Sequence, residues 1–161
     1  MTAVVQSAER QAARDGRGLE VILSSADSGG TLAVVACSVP AGTAGPPLHR
    51  HPGSDETFIV TDGTLLVWAE GRVSEVGAGG LVHVSRGTPH TFAAQPGAGA
   101  RFLTLHTPGG FEGFHVAAAA AERAAGGPVP TADLIRLAAG FDWELAGPPL
   151  LPSGELAPVP G

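Results

Sequence analysis

From Leu19 to Pro108 the chain is a succession of short β-prone runs, none long enough for a crossover helix. They read LEVILSS, TLAVVACSVP, ETFIVTDG, TLLVWAEG, RVSEVG, LVHVSRG, HTFAAQ and RFLTLHTP, and each is closed by Gly, Pro, Asp or Ser. Such runs have no room for βαβ units, so the spacing predicts an all-β sandwich or barrel. The 24 glycines and 14 prolines then act as turn punctuation rather than as marks of disorder. Glu70-Gly71 fits a two-residue hairpin loop, and DSGG at 27–30 reads as a turn.

The β pattern divides the chain into four stretches. Residues 1–18 form a polar, Ala-rich arm or short helix, and 19–110 form the β-barrel. Residues 111–145 form a helical extension, and 146–161 a Pro-rich, extended tail. Within the extension, FHVAAAAAERAAGG has alanine for propensity and Gly126-Gly127 as its stop. PTADLIRLAAGFDWEL is a second helix, with Thr131 as cap and Leu134, Ile135, Leu137 and Ala138 as its apolar face.

Charge narrows the partners. A net charge of −6 with only nine Lys and Arg supplies no basic face for nucleic acid. Cys37 is the one cysteine and lies in an apolar run, so a buried, inert thiol is expected and an internal disulfide is impossible. No segment has the length of a signal-peptide core or a membrane span, and a cytoplasmic protein without membrane contact is expected.

The densest chemistry lies in LHRHPGSDETFIVTDG, residues 48–63. Residues two apart on a strand share a face, so His49 and His51 reach one point. PGSD turns the chain and brings Glu56 towards that point at the start of the next strand. His90, after a Gly-Thr-Pro turn, offers a fourth donor. Three imidazoles and one carboxylate suit a divalent transition metal: Fe, Mn, Ni, Co or Zn. A His-x-His pair alone is more often two unrelated histidines, and four protein ligands can also close a structural zinc site.

The two clusters resemble the paired motifs of the cupin superfamily. The first motif is matched by Gly42, His49, His51, Glu56 and Gly63, and the second by Gly79, Gly87 and His90. Ser85 stands in place of a proline and Ala94 in place of an asparagine, and neither is a ligand position. GPPLHRH, DETFIV, RGTPHTF and TPGGFEGF are similar to the single-domain, quercetin 2,3-dioxygenase-like cupins, over roughly residues 19 to 151. The resemblance implies a double-stranded β-helix, or jelly roll, with the metal inside. It also implies that Glu56 takes the substrate's hydroxyl proton, and that the chain forms a homodimer through Leu19 to Leu23 or the Ala-rich helix.

Same-face counting points Phe58, Val60 and Phe92 inward, as a wall for a flat substrate or as ordinary core. His106 is a pocket residue or a satisfied core histidine. His83 packs on or between strands, and His115 caps a helix or faces solvent. Trp68, Phe102, Phe111 and Phe114 are expected in the core or between helix and barrel. The chain has no tyrosine, so a phenol takes no part in its chemistry.

Three functions fit these residues. The first is a dioxygenase acting on a small aromatic or enolisable hydroxy-carbonyl compound, flavonol- or polyketide-like. The second is a non-redox isomerase, cyclase or lyase with the ion as Lewis acid. The third, a non-catalytic small-molecule-binding cupin, ranks last.

Overall fold

The computed structural model describes residue 2 and residues 18–159. The expected N-terminal arm therefore lies outside the described residues, apart from its ends. The chain order is β1 (Leu19–Leu23), α1 (Ser25–Ser28), β2 (Ala33–Val39), β3 (Pro47–Arg50), β4 (Asp55–Ala69), β5 (Arg72–Gly77) and β6 (Leu81–Val84). It continues with β7 (His90–Ala94), β8 (Ala100–Thr107), α2 (Glu112–Ala125), α3 (Thr131–Ala138) and β9 (Glu144–Pro149). All strand pairs are antiparallel. The fold is all-β with short C-terminal helices.

The strands make two sheets that share β4. Residues 55–63 of β4 run between β8 and β6, and β2 and β1 continue that sheet beyond β8. Residues 64–69 of β4 run between β5 and β7, and β3 and β9 continue the second sheet beyond β7. ETFIVTDG and TLLVWAEG are thus one strand rather than two. The transfer occurs at a register shift between Val60 and Asp62, followed by Gly63. Gly63 has φ 70°, and a Cβ there would lie 1.9 Å from the Gly99 carbonyl oxygen, so only glycine fits the bend.

The alternation of side chains along the strands fills the space between the sheets. Val35, Phe58, Val60, Leu65, Val67 and Phe102 pack there, all essentially inaccessible to solvent. The Glu70-Gly71 hairpin has φ 52° and 78° at its two loop residues, the left-handed pair that matches the strand twist.

Three expectations are corrected. DSGG is not a bare turn: Ser24 and Asp27 form a reciprocal cap on the short helix α1, which Gly29 ends at φ 66°. The second C-terminal helix stops at Ala138, and its cap position is Pro130, with Thr131 as the first helical residue. The segment after it is extended as expected, but the extended part begins at Glu144, inside the stretch assigned to the helical extension, and is a paired strand. β9 pairs along β3, with Leu145 opposite His49 and Gly147 opposite Leu48. Its prolines are tolerated because β9 is an edge strand. Leu150 and Leu156 then cover Leu66 and Trp68 on the outer side of the second sheet. No described helix is long and apolar enough to cross a membrane.

Candidate metal centre

His49, His51, Glu56 and His90 converge at one end of the barrel, each offering a ligand atom within 4.8 Å of the others. All four are buried. Both sheets contribute. His49 on β3 sits directly opposite His90, the first residue of β7. His51 follows the end of β3, and Glu56 lies at the start of β4 in the other sheet, opposite His106 on β8. The tight turn between His51 and Asp55 allows the reversal. Gly87, at φ 79°, donates its N–H to the His51 carbonyl at 2.8 Å, joining the two histidine-bearing loops.

The orientation of each imidazole is fixed from behind. The Nδ1 atoms of His49, His51 and His90 meet the backbone carbonyls of Pro47 (2.8 Å), Asp142 (2.5 Å) and Thr88 (2.9 Å). A carbonyl only accepts, so each Nδ1 carries the proton and each Nε2 is left with a lone pair. These contacts fix each ring so that its Nε2 lone pair can face a metal. His51 Nε2 is buried, lies 3.3 Å from Glu56 Oε2 and makes no hydrogen bond. His90 Nε2 lies 2.7 Å from the same oxygen. A divalent cation among these atoms satisfies the orphaned nitrogen and neutralises the buried carboxylate, so the donor set fits a transition metal.

Protonation follows the same pattern. Burial, reinforced by the charges of His90 and His51, pushes His49 down to about 3, leaving it neutral at physiological pH. Burial also pulls His51 down, but the Glu56 carboxylate beside it outweighs that, and the net shift is upward. Burial raises Glu56, yet His106 first, then His51 and His90, hold it well below the ordinary carboxylate range.

Several neighbours were not visible in sequence. Asp142 reaches back to the metal loop, its carboxylate accepting from Gly53 N–H (2.8 Å) and Ser54 Oγ (2.6 Å). Trp143 stacks on His49, with centroids 5.5 Å apart and planes 22° apart. Phe111 meets His51 edge-on at 4.4 Å. The sequence places FDWEL in a helix, and no local pattern marks Asp142 or Trp143 as site residues.

A cavity of about 640 Å³ opens from the cluster, with His49 and Glu56 in its wall. The barrel contributes Phe92 and Thr104, and the helical extension contributes Phe111, Phe114, His115 and Trp143. Phe92 is therefore a wall residue. Phe58 and Val60 face inward but are spent on core packing. His106 lies beside the carboxylate, its Nε2 3.4 Å from Glu56 Oε1. Of the two placements expected for His83, the structure has it on the strands: it is exposed on the outer surface, within 2.9 Å of Thr57 Oγ1 on the neighbouring strand. His115 is the fourth residue of α2 rather than its cap, and it is half-buried at the cavity wall.

Residues 35–106 match the protein family described as Cupin domain. The fold is a cupin jelly roll. The His₃Glu cluster is typical of metal sites in cupins, and it sits where the two sheets meet. Among solved structures, the chain is similar in fold to the polyketide cyclase RemF of Streptomyces resistomycificus. The TM-score is 0.55 and the identity 23%, over 66% of this chain and 80% of that one. It is also similar to a predicted oxalate decarboxylase of Thermotoga maritima, with TM-score 0.57 and 20% identity over 66% and 99% of the two chains. KdgF of a Halomonas species gives TM-score 0.53 and 20% identity over 67% and 94%. At these identities the likeness is one of fold. No curated protein sequence matches the chain.

Proposed function

We propose that this cupin is a metal-dependent dioxygenase of the quercetinase-like kind, acting on a small aromatic or enolisable hydroxy-carbonyl compound. The observation that carries the reading is the placement of the four-donor cluster. It lies at the end of a largely apolar cavity, with two of the ligands, His49 and Glu56, in the cavity wall. A divalent ion held by His49, His51, Glu56 and His90 supplies Lewis acidity towards a substrate oxygen and, if redox-active, electrons for dioxygen.

The chain's own residues do the rest. Glu56 Oε2 faces His51 and His90, whereas Oε1 faces His106, so Oε1 is the atom placed to take a hydroxyl proton. Phe92, Phe111 and Trp143 hold a flat molecule and keep water from it. The stacking of Trp143 and the tethers on Nδ1 keep the imidazoles still while the carboxylate moves.

The same groups can enolise a substrate without oxygen, and the likeness in fold to a polyketide cyclase supports cyclase, isomerase or lyase chemistry as the second reading. An anaerobic assay separates the two. Protein loaded with ferrous, manganous or nickel ion is given flavonol with and without oxygen. Turnover that requires oxygen supports the dioxygenase, and equal turnover in its absence overturns it in favour of the second reading.

A further inference from the structure

The cavity wall carries one buried hydroxyl that the packing of the barrel does not account for. Thr104 lies on the inner face of β8, between Phe102 and His106 in the alternation of that strand. Val35 on β2 and Phe58 on β4 sit directly opposite it, so its partners across both pairings are apolar. The residue is 4% exposed and borders the cavity. Its hydroxyl has no hydrogen-bond partner among the described residues. Thr91, the other buried threonine among them, shows the usual arrangement: its Oγ1 donates to the Pro46 carbonyl at 2.7 Å. An unpartnered buried hydroxyl is a cost that valine, of the same shape, would avoid.

Resting on the enzymatic reading above, we infer that Thr104 is a specificity-determining residue. It hydrogen-bonds a second, uncharged oxygen of a substrate whose first oxygen meets the Glu56 end. The strand register gives the spacing. His106 lies opposite Glu56 and Thr104 opposite Phe58, one same-face step further into the barrel. Such a step is about 7 Å, so the two oxygens belong on opposite sides of one ring rather than on neighbouring carbons. The second oxygen carries no charge, because among the described residues no lysine or arginine lines the cavity and a buried anion needs a partner of opposite charge. A threonine hydroxyl both donates and accepts, so a carbonyl or a hydroxyl oxygen fits equally. The substrate class is therefore a ring compound with a hydroxy-carbonyl head and a further neutral oxygen across the ring.

The test is calorimetric binding to zinc-loaded protein, in which redox turnover does not occur. Tropolone presents an adjacent carbonyl and hydroxyl, and 5-hydroxytropolone adds one hydroxyl across the ring. Wild type should bind 5-hydroxytropolone about fivefold more tightly, the scale of one net hydrogen bond. Thr104→Val should lower 5-hydroxytropolone to the affinity of tropolone, whereas Thr104→Ser should keep the preference, with equal zinc content in all three proteins. In thermal melts of metal-free protein, Thr104→Val should be at least as stable as wild type, because it removes a hydroxyl that has no partner. A preference that survives in Thr104→Val or is lost in Thr104→Ser, equal weakening of both ligands, no preference or no binding in wild type, or a lower Tm in Thr104→Val would each overturn the inference. If the discrimination holds but no metal form turns over a flavonol, the proposed function fails while the assignment of Thr104 stands.

Discussion

Asp142→Ala should weaken metal binding without touching a ligand. The carboxylate holds the turn between His51 and Glu56 through Gly53 N–H and Ser54 Oγ, while the Asp142 carbonyl fixes His51 Nδ1. Each hydrogen bond to a charged group contributes about 1.5–3 kcal/mol, and partial exposure and shared strain place the joint loss near the low end, about 2 kcal/mol. For a chain of this size that lowers Tm by about 4–8 °C. The carbonyl that orients His51 also loses its anchor, so metal affinity should fall by roughly 10–100-fold, the usual effect of disturbing a ligand's support. Scanning calorimetry of metal-free protein measures the first effect, and competition against a chromogenic chelator the second. Asp142→Asn, which keeps one acceptor, should show a smaller loss in both. Wild-type metal affinity in Asp142→Ala, whatever its Tm, would refute the idea that the post-helical loop positions His51.

Glu56→Gln retains an oxygen donor but removes the base and the negative charge. Turnover should fall by roughly 10²–10⁴-fold, measured as kcat at matched metal content. Gly45→Ala would put a methyl 1.5 Å from the Phe92 carbonyl oxygen, backbone against side chain with no room to yield. Loss of about 4 kcal/mol or more, or failure to fold, is expected in urea denaturation. Metal-free protein should also lose stability on acidification. His49 titrates at about 3 when folded and near 6.5 when unfolded, so the unfolded chain binds more protons in between. Glu56, lowered by folding, acts in the same direction below its ordinary value of 4.5. The raised pKa of His51 stabilises the fold below 6.5 and is lost only as pH rises, so it does not oppose this trend in acid. Urea melts between about pH 6 and about pH 4 should therefore show falling stability, by at most about 1.4 kcal/mol per pH unit for each proton. A flat profile would show that His49 is not buried as described.

What the sequence determined by itself was local. Period-two runs and glycine punctuation dictated antiparallel strands, and the Glu70-Gly71 loop was legible because its two left-handed residues are dictated by strand twist. His49, His51 and Glu56 could be grouped because a turn of few residues joins them, and His90 because a second glycine-bearing motif precedes it. Tertiary structure decided whatever depended on distant pairing. That β4 is one strand bent at Gly63 follows from contact with Gly99, which no local window contains. That β9 backs the ligand strand, and that Asp142 and Trp143 reach the histidines, follows from a chain reversal after α3 that brings residues some ninety positions apart into hydrogen-bonding range. His115 looked like a surface residue because helical periodicity tells which side of α2 is apolar, but not that this side faces a cavity.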